Sequence, residues 1–438
     1  MTAEIAVMNK LAVALAADSA VTLKSPGQTK IFRTVNKLFA LSKYQPVGIM
    51  VHGNSEFMGV PWELIIKTYR ERLGARSFGS LKGYLDDFIN SVEANGVVNL
   101  ADEEKRFVLL TIARQFKRAK DAIEAEMKRA FERQGKATDE DVANAVSEVL
   151  ESQLSPRRQL PLLSSLPADH ADKIAVAYGA EIEKLTTEIF GGLPIGADAT
   201  SKLRDLAISL FTRDSFPLDQ SSGIVVAGFG TDDTYPSLEW IEVHGRTLGK
   251  LKSRTRDSTK IRPDMEAAIV PFAQRDEVDA FLSGINPKYS AAVRSFLRQL
   301  LEEYPETILT TLAGFTDPEK EAFLAKWKRV SADSVAQFSK AMDDFASNQF
   351  SDPVLSAVAA LPKDELASMA ETLVNLTSFK RKVTLDDETV GGPIDVAVVS
   401  KGDGFVWIKR KHYFTADLNP HFTTQYFNRR SPEVRDGT

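Results

Sequence analysis

Cysteine is absent from the 438 residues, and histidine occurs only five times. The lack of cysteine excludes disulfide bonds, thiolate zinc sites and a cysteine nucleophile together. The histidines form neither an HExxH pair nor a tight cluster, so a catalytic zinc is not expected. A phosphate-binding P-loop, a strand-linked GxGxxG and a GxSxG turn are missing as well. Any chemistry of this chain must therefore use residues outside the commonest catalytic sets.

Long apolar runs and an excess of positive charge are also missing. The apolar runs stay well below the roughly 18 residues of a membrane-spanning helix. The N-terminus lacks the basic flank and apolar block of a secretory signal, so we expect a cytoplasmic protein without a membrane span. The 55 Lys and Arg against 60 Asp and Glu give a net charge of -5. This balance argues against a nucleic-acid binder, because such proteins need a basic surface.

The composition and the apolar patterns predict a folded chain with both strands and helices. Hydrophobic residues make up 43% and charged residues 26%, which is typical of a protein with a normal core. Short apolar runs predict pairs of strands in three parts of the chain. The N-terminal part has two pairs, 5–8 with 11–16 and 37–41 with 47–51; the central part has 223–230 with 238–243, and the C-terminal part has 393–400 with 405–410. Apolar residues at helical spacing predict helices at 56–72, 81–93, 101–133, 171–190 and, with breaks at Pro287, Pro305 and Pro353, 276–379. Thr138 is a candidate N-cap of another helix, and the proline-rich stretch 155–167 predicts a break.

Strand pairs separated by helices are typical of an α+β protein. Because an isolated hairpin is marginally stable at best, we favour one strand-built core that is split by two mainly helical insertions. The predicted order is a first part of the core at 1–97, a helical insertion at 98–215, central strands at 216–279, a second helical insertion at 280–362, a last helix and strands at 363–414, and a polar tail at 415–438.

The second residue is the first candidate for chemistry. Thr2 follows the initiator methionine, and a small side chain at this position usually permits removal of Met1. Thr2 would then have a free α-amino group beside its own hydroxyl. The reference pKa of such an amine, about 7.7 to 8.0, suits a general base. A threonine hydroxyl with an adjacent N-terminal amine is a self-contained nucleophile and base.

Three further residues could support this nucleophile and base. Asp18 follows a predicted strand and could hold Lys30 in place. The positive charge of Lys30 would keep the amine of Thr2 neutral and make its hydroxyl more acidic. Gly53 lies between a predicted strand and a predicted helix, so its N–H could stabilise an oxyanion.

Five segments resemble the proteasome β-subunit family. TAEIAVMNKLAVALAADSAVT at 2–22 is similar to the start of a mature β subunit, including the separation between threonine and aspartate. KIF at 30–32 resembles the segment of the catalytic lysine, after a shorter loop, and VHGNSE at 51–56 resembles the glycine-led entry to the first helix. IVVAGFGTDDTYPSLEWIEVHG at 224–245 is similar to the central hairpin. DETVGGPIDV at 387–396 resembles the Asp-x-x-Ser-Gly-Gly run before the last strands.

The resemblance implies an N-terminal-nucleophile (Ntn) hydrolase of the proteasome and HslV type. Such a protein has a four-layer αββα sandwich and cleaves peptide or amide bonds through an acyl-enzyme, without a metal or organic cofactor. Carried onto this chain, the pattern makes Thr2 the nucleophile and base, tuned by Lys30, which Asp18 orients. Gly53 supplies the oxyanion N–H, and Asp387 positions the N-terminus. The implied partners are a peptide or protein substrate, further copies in a homo-oligomer, and an ATPase or other assembly partner.

Three departures from the family pattern leave alternatives open. Val390 stands where the family has a supporting serine, and VPFAQR at 270–275 replaces a Gly-Ser-Gly-Ser segment. Ala20 stands where an arginine often follows the aspartate. One alternative is therefore a catalytically inactive Ntn-fold scaffold or assembly protein. The other is an enzyme that keeps the nucleophile but transfers the acyl group to an amine, as a ligase does.

Overall fold

The structure, a computed structural model, describes residues 2–25, 28–94, 100–135, 138–217, 219–311, 314, 316–384, 391–412, 414–421 and 424. The strands within these residues are β1 (Ala3–Asn9), β2 (Ala12–Ala17), β3 (Val21–Ser25), β4 (Gln28–Phe32), β5 (Leu38–Ala40), β6 (Val47–Gly53), β7 (Glu56–Phe57), β8 (Val60–Pro61), β9 (Ser222–Gly228), β10 (Ser237–Thr247), β11 (Lys250–Lys260), β12 (Ala267–Ala273), β13 (Asp395–Ser400) and β14 (Gly404–Lys409).

The helices are α1 (Trp62–Leu73), α2 (Leu81–Glu93), α3 (Ala101–Gln134), α4 (Asp139–Gln159), α5 (His170–Phe190), α6 (Ala197–Thr212), α7 (Asp276–Ser283), α8 (Pro287–Thr311), α9 (Asp317–Ala346), α10 (Asp352–Ala360) and α11 (Lys363–Val383). A π-helical turn at Ser347–Ser351 joins α9 to α10, and a 3-10 turn lies at Ala416–Leu418. The chain is thus a mixed α/β protein with antiparallel sheets. Among the described residues, none of the helices combines the length and the hydropathy of a bilayer span.

The chain divides into two compact units. The first unit comprises Met1–Val35, Lys260–Lys401 and Val406–Asn419. The second unit comprises Asn36–Thr259, Gly402–Phe405 and Pro420–Thr438. Each unit has a five-stranded sheet of its own, and the two are described separately below.

In the first unit, β1 and β2 lie inside a sheet with the order β12-β1-β2-β13-β14. Small apolar residues alternate along both strands, so that Ala3, Ile5 and Ala14 lie on one face of the sheet. This face packs against α11, which contributes Ala370 and Leu373 to the same buried cluster. The small alanine side chains allow the helix to approach the sheet closely.

The turn between β1 and β2 is held by one buried asparagine. The side-chain amide of Asn9 donates to the carbonyl oxygens of Val358 and Leu361, at 2.9 Å each. Because the turn is fixed in this way, the register of β1 against β2 is fixed too. The far ends of these two strands are the places where Thr2 and Asp18 lie.

In the second unit, the sheet order is β11-β10-β9-β6-β5. The helices α1 and α2 bring Trp62, Tyr69 and Phe88 into a buried cluster with the strand residues Ile49 and Val226. The rings of Tyr69 and Phe88 meet edge to face with their centroids 5.0 Å apart. Such an arrangement contributes about 0.5 to 1.5 kcal/mol beyond the burial of the rings. This aromatic layer holds α1 and α2 on the sheet.

The helices α3 to α6 pack on one another around a hydrophobic cluster of their own. The cluster takes Ile112 and Phe116 from α3, Leu150 from α4, Ile182 from α5 and Leu203 from α6. The long helix predicted at 101–133 agrees with α3, which ends one residue later.

A capping box begins α4, as the sequence predicts for Thr138. The Thr138 Oγ1 accepts a hydrogen bond from the N–H of Asp141 at 3.2 Å. In return, the Asp141 carboxylate accepts one from the N–H of Thr138 at 2.8 Å. Two amides that the helix leaves unpaired are satisfied by this exchange.

The predicted start of the helix at 56–72 is wrong. The helix α1 begins at Trp62, and the residues before it form the short strands β7 and β8. Met58 and Gly59 adopt φ values of 52° and 90°, which a right-handed helix does not permit. The spacing of apolar residues did not reveal this turn, because Phe57 and Val60 are three positions apart, as residues on one face of a helix are.

Of the predicted proline breaks, the one at Pro287 is confirmed and the one at Pro305 is wrong. Pro287 begins α8, where a missing N–H removes no helical bond, whereas Pro305 lies inside α8. The break predicted at 155–167 is confirmed in its later part, since α4 continues through Pro156 and ends at Gln159. Before Pro353, the π-helical turn at Ser347–Ser351 interrupts the α-helical pattern between α9 and α10.

The sequence analysis missed β3, β4, β11 and β12. The reason is clearest for β11, whose sequence KLKSRTRDSTK contains few apolar residues. This strand lies at the edge of its sheet, where many of its side chains are exposed. An edge strand of this kind tolerates charge and therefore lacks the apolar alternation on which the predictions relied.

Candidate active site at the ends of β1 and β2

The carboxylate of Asp18 follows β2 and is almost completely buried. Its Oδ1 accepts a hydrogen bond from the N–H of Ala3 at 3.1 Å, and its Oδ2 accepts one from the N–H of Gly391 at 2.9 Å. In the opposite direction, the N–H of Asp18 donates to the carbonyl of Ala3 at 3.0 Å. Hydrogen bonds to a carboxylate are among the stronger ones in proteins. Asp18 therefore fixes the backbone directly after Thr2.

Ser19 and a pair of glycines hold the same corner. The N–H of Ser19 donates to the carbonyl of Gly391 at 3.2 Å, and its hydroxyl donates to the carbonyl of Pro393. Gly391 and Gly392 have φ values of 152° and 81°, and a Cβ on Gly392 would lie 2.6 Å from the carbonyl oxygen of Arg33. This conformation requires glycine. The sequence analysis did not assign Ser19 or Gly391 to the site, although the adjacent glycines were a signal.

Thr2 is itself buried, with 3% of its surface exposed, and its carbonyl accepts the N–H of Gln274 at 3.3 Å. Because Ala3 and Ile5 point into the core of the first unit, strand alternation directs Thr2 and Glu4 to the opposite face of the sheet. Glu4 is also buried. A buried carboxylate thus lies two residues from Thr2. The sequence analysis missed Glu4, whose signal was a charged residue within an apolar strand.

Lys30 lies on β4, in the hairpin that β3 and β4 form, and its Cα pairs with that of Leu23. Its side chain is exposed, and the ammonium lies 5.1 Å from the centroid of the Phe32 ring. The structure thus brings the backbone at Thr2 together with Asp18, while the charge of Lys30 is directed at an aromatic ring.

The two other predicted residues are Gly53 and Asp387. Gly53 ends β6 in the second unit and has a φ of 79°. A Cβ at Gly53 would lie 2.5 Å from the carbonyl oxygen of Ser221, so this backbone also requires glycine. Since α1 begins only at Trp62, the N–H of Gly53 is not at the N-terminus of a helix, and that part of the prediction is wrong. Asp387 lies outside the described residues.

The second unit buries several basic side chains, and Lys252 and His244 have the largest effects of burial on their pKa. The Nζ of Lys252 donates to the carbonyls of Leu210 and Ser215, at 2.7 and 2.6 Å. Burial, with a smaller contribution from the charge of Arg157, lowers the pKa of Lys252 to about 7. Burial likewise lowers the pKa of His244 to about 3. Among the described residues, no group of three or more His, Asp or Glu could hold a metal ion.

We expect Lys252 to make the free energy of unfolding rise with pH above neutrality. The pKa is about 7 in the folded state and 10.5 for an ordinary lysine, so between these values the unfolded state binds more protons. Below pH 7 both states are charged, and the penalty of burying the charge is fully present. Urea denaturation at about pH 6, 7.5 and 9 measures this rise.

The variant Lys252→Met should flatten that pH dependence. Lys250→Met is the matched control, since Lys250 lies on the same strand with a half-exposed side chain, 3.5 Å from the carboxylate of Glu93. The control should keep the slope of the wild type. If the free energy of unfolding of Lys252→Met rose with pH as steeply as that of the wild type, Lys252 would not be the cause of the rise.

Asp18→Asn is expected to destabilise the first unit. Asparagine offers one acceptor oxygen, so the N–H of either Ala3 or Gly391 would face an NH2 donor. Losing such a hydrogen bond should lower the free energy of unfolding by about 1.5 to 3 kcal/mol, measured by urea denaturation. Asp344→Asn, at an exposed carboxylate 2.6 Å from Lys340, should lower it by less than about 1 kcal/mol. Equal losses of unfolding free energy in the two variants would contradict the role of Asp18 in holding the backbone at Ala3 and Gly391.

Comparison with known proteins gives a distant likeness among solved structures. No family model matches the chain, and no curated protein matches it. Among solved structures, the chain is similar to the Anbu (Gly-1) mutant from Hyphomicrobium sp. strain MC1, with 9% identity, a TM-score of 0.27 and full coverage of both chains. A likeness this distant assigns neither a fold nor an activity.

Proposed function

We propose that this chain is an N-terminal-threonine hydrolase of the proteasome-like Ntn type, which cleaves peptide or amide bonds through an acyl-enzyme on Thr2. The observation that carries the proposal is the burial of the Asp18 carboxylate between the amides of Ala3 and Gly391. Asp18 and Gly391 are 373 positions apart in the sequence. Two segments that resemble the family therefore meet at one side chain, next to the proposed nucleophile.

The proposed reaction begins once Met1 has been removed. The α-amine of Thr2 takes the proton of the hydroxyl, and Oγ1 forms a bond to the carbonyl carbon of the substrate. When the tetrahedral intermediate collapses, the C–N bond breaks and the leaving amine takes the proton from the α-ammonium. The ester on Thr2 is then hydrolysed by a water molecule, which the free amine deprotonates.

Asp18 acts in this proposal as a positioning residue. The amine and hydroxyl of Thr2 are already joined covalently, so what remains to be set is their orientation toward the substrate. The hydrogen bonds between Asp18 and Ala3 hold the residue after Thr2 by both its N–H and its carbonyl oxygen. A misplacement of about 1 Å can reduce a rate about 100-fold.

The roles of Lys30, Gly53 and Asp387 are further parts of the proposal. Lys30 would tune the amine of Thr2, which requires its side chain to leave the Phe32 ring. An exposed cation–π contact contributes only about 0.5 to 1 kcal/mol, so this rearrangement meets little resistance. Gly53 would donate its N–H to the oxyanion, and Asp387 would position the N-terminus.

We propose a four-layer αββα core that is built from 1–97, 216–279 and 363–414, with helical insertions at 98–215 and 280–362. The first insertion is supported by the helices α3 to α6, which bury apolar side chains against one another. A segment with its own core can be inserted into a loop of another domain with little disturbance of it.

Product analysis with a panel of fluorogenic and unlabelled peptides tests the proposal against its alternatives. The wild-type protein should release the amine product and the free carboxylic acid. Peptides joined to an added amine acceptor would instead indicate a ligase. Absence of turnover in protein shown to lack Met1, with and without ATP and a candidate ATPase partner, would favour the scaffold.

A further inference from the structure

A stripe of large apolar side chains runs along α8. Its members occur at every third or fourth position and are between 36% and 68% exposed: Tyr289, Val293, Phe296, Leu300 and Tyr304. At 100° per residue, these positions fall within an arc of about 80° on the helix surface and extend over about 22 Å. They form one continuous face, which we call the α8 stripe.

The α8 stripe is not the face by which α8 packs on α9. That face is marked by the hydroxyl of Ser331, which donates to the carbonyl of Leu301 at 2.9 Å, and by the ion pair between Arg294 and Asp343. Val335 of α9 is buried, whereas every member of the stripe is exposed. The stripe is therefore available to a partner outside the chain.

The exposed apolar area of the α8 stripe is large enough for a small but specific protein–protein interface. Large aromatic side chains bury about 150 to 250 Å² each, so five half-exposed apolar side chains present on the order of 500 Å². A patch of this size is at the upper end for a monomer. If two such stripes covered each other, about 1,000 Å² would be buried, which is the lower limit of a specific interface.

The spacing and the charges of α8 indicate what the partner is. Apolar residues that repeat every three and four positions form the seam by which one helix packs on another. One flank of this seam carries Lys288 near the start of the helix, and Glu303 and Glu306 near its end. In an antiparallel pair of α8 helices, Lys288 of each copy would lie beside the two glutamates of the other. A parallel pair would keep Lys288 of both copies at one end and the glutamates at the other, so these charges could not pair.

We propose that α8 forms a homodimer with α8 of a second copy, antiparallel about a two-fold axis near Phe296. A two-fold axis at this point places the members of the stripe opposite one another, with Tyr289 facing Tyr304 and Val293 facing Leu300. Such a self-complementary patch is typical of dimers. Lys288 is 3.4 Å from Asp276 within the chain, and because that pair is exposed it exchanges readily for a pair with the partner.

Sedimentation equilibrium of the full chain at micromolar concentrations tests the dimer. The wild type should dimerise, and Phe296→Lys should raise the dissociation constant by at least about 30-fold, because it places a charge at the centre of the seam. Val176→Lys is the matched control, at an apolar residue of α5 that is 87% exposed. Since Phe296 is exposed within one chain, its replacement should leave the circular dichroism unchanged. The thermal midpoint should match that of the wild type when both proteins are diluted below the dissociation constant of the wild-type dimer. A monomeric wild type, or a dimer that Phe296→Lys does not weaken, would overturn the proposal.

Charge reversal tests the orientation of the helices. Lys288→Glu alone should weaken the dimer, because it faces Glu303 and Glu306 of the other copy. Adding Glu303→Lys and Glu306→Lys to the same chain should restore the affinity. Failure of this rescue would overturn the antiparallel arrangement. The inference does not depend on Thr2, and the dimer should form equally in Thr2→Ala.

Discussion

Replacement of Thr2 with alanine is expected to reduce amide hydrolysis by about 1,000-fold or more, because the variant has no oxygen to attack the substrate. Alanine is small, so removal of Met1 should proceed as in the wild type. The backbone contact between Ala3 and Asp18 does not use the Thr2 side chain and should persist. The initial rate of release of a fluorogenic amine from a peptide amide, at matched protein concentration, measures the effect.

Thr2→Ser is the matched variant for this test. Serine keeps the hydroxyl and the adjacent amine, so a measurable fraction of the activity should remain. Thermal unfolding of both variants should show that neither has lost its fold. Retention of full activity in Thr2→Ala would exclude Thr2 as the nucleophile.

The largest expected effect on stability is at the ion pair between Glu104 and Arg246 in the second unit. The Nε of Arg246 donates to the Glu104 carboxylate at 2.6 Å, and the two side chains are only 2% and 10% exposed. Another donor of Arg246 contacts the carbonyl of Glu93 at 2.7 Å, and the N–H of Gly249 donates to Glu104. Glu104→Gln should lower the free energy of unfolding by about 3 to 5 kcal/mol, because it leaves a buried guanidinium without its carboxylate.

Urea denaturation of a matched set of variants tests this prediction. Asp86→Asn breaks an exposed pair with Lys82, at 2.6 Å, and should change the free energy of unfolding by less than about 1 kcal/mol. The double variant Glu104→Leu with Arg246→Met removes both charges and should be more stable than Glu104→Gln. A Glu104→Gln variant as stable as Asp86→Asn would show that the buried pair is not essential to the unit.

Much of the fold was predictable where local and tertiary preferences agree. The hairpin of β1 and β2 follows from alternating small apolar residues around a polar turn, and the structure adds the contacts of Asn9 that fix it. The helix α4 begins where Thr138 and Asp141 provide a capping box, a signal that is local to four residues. In the site, the Asp18 carboxylate accepts the N–H of Ala3, a contact that the sequence analysis did not predict, since it expected Asp18 to orient Lys30.

Other features depend on contacts that no local pattern encodes. The turn at Met58 and Gly59 delays α1 because it uses positive φ angles within an apolar stretch. Ser19 joins the site through backbone atoms of a segment more than 370 positions away, as its 374-residue separation from Pro393 shows. The ammonium of Lys30 lies over the exposed ring of Phe32, a contact that no local sequence pattern predicts.

The most direct test of the central claim is the intact mass of the purified protein before and after exposure to a β-lactone, with the modified peptide mapped. The chain should lack Met1 and gain the mass of one reagent molecule, as Thr2 Oγ1 bonds to the lactone carbonyl, the ring C–O bond breaks and the released oxygen takes the proton. The adduct should be absent from Thr2→Ala. Quantitative retention of Met1, or an adduct at another residue, would contradict Thr2 as an N-terminal nucleophile.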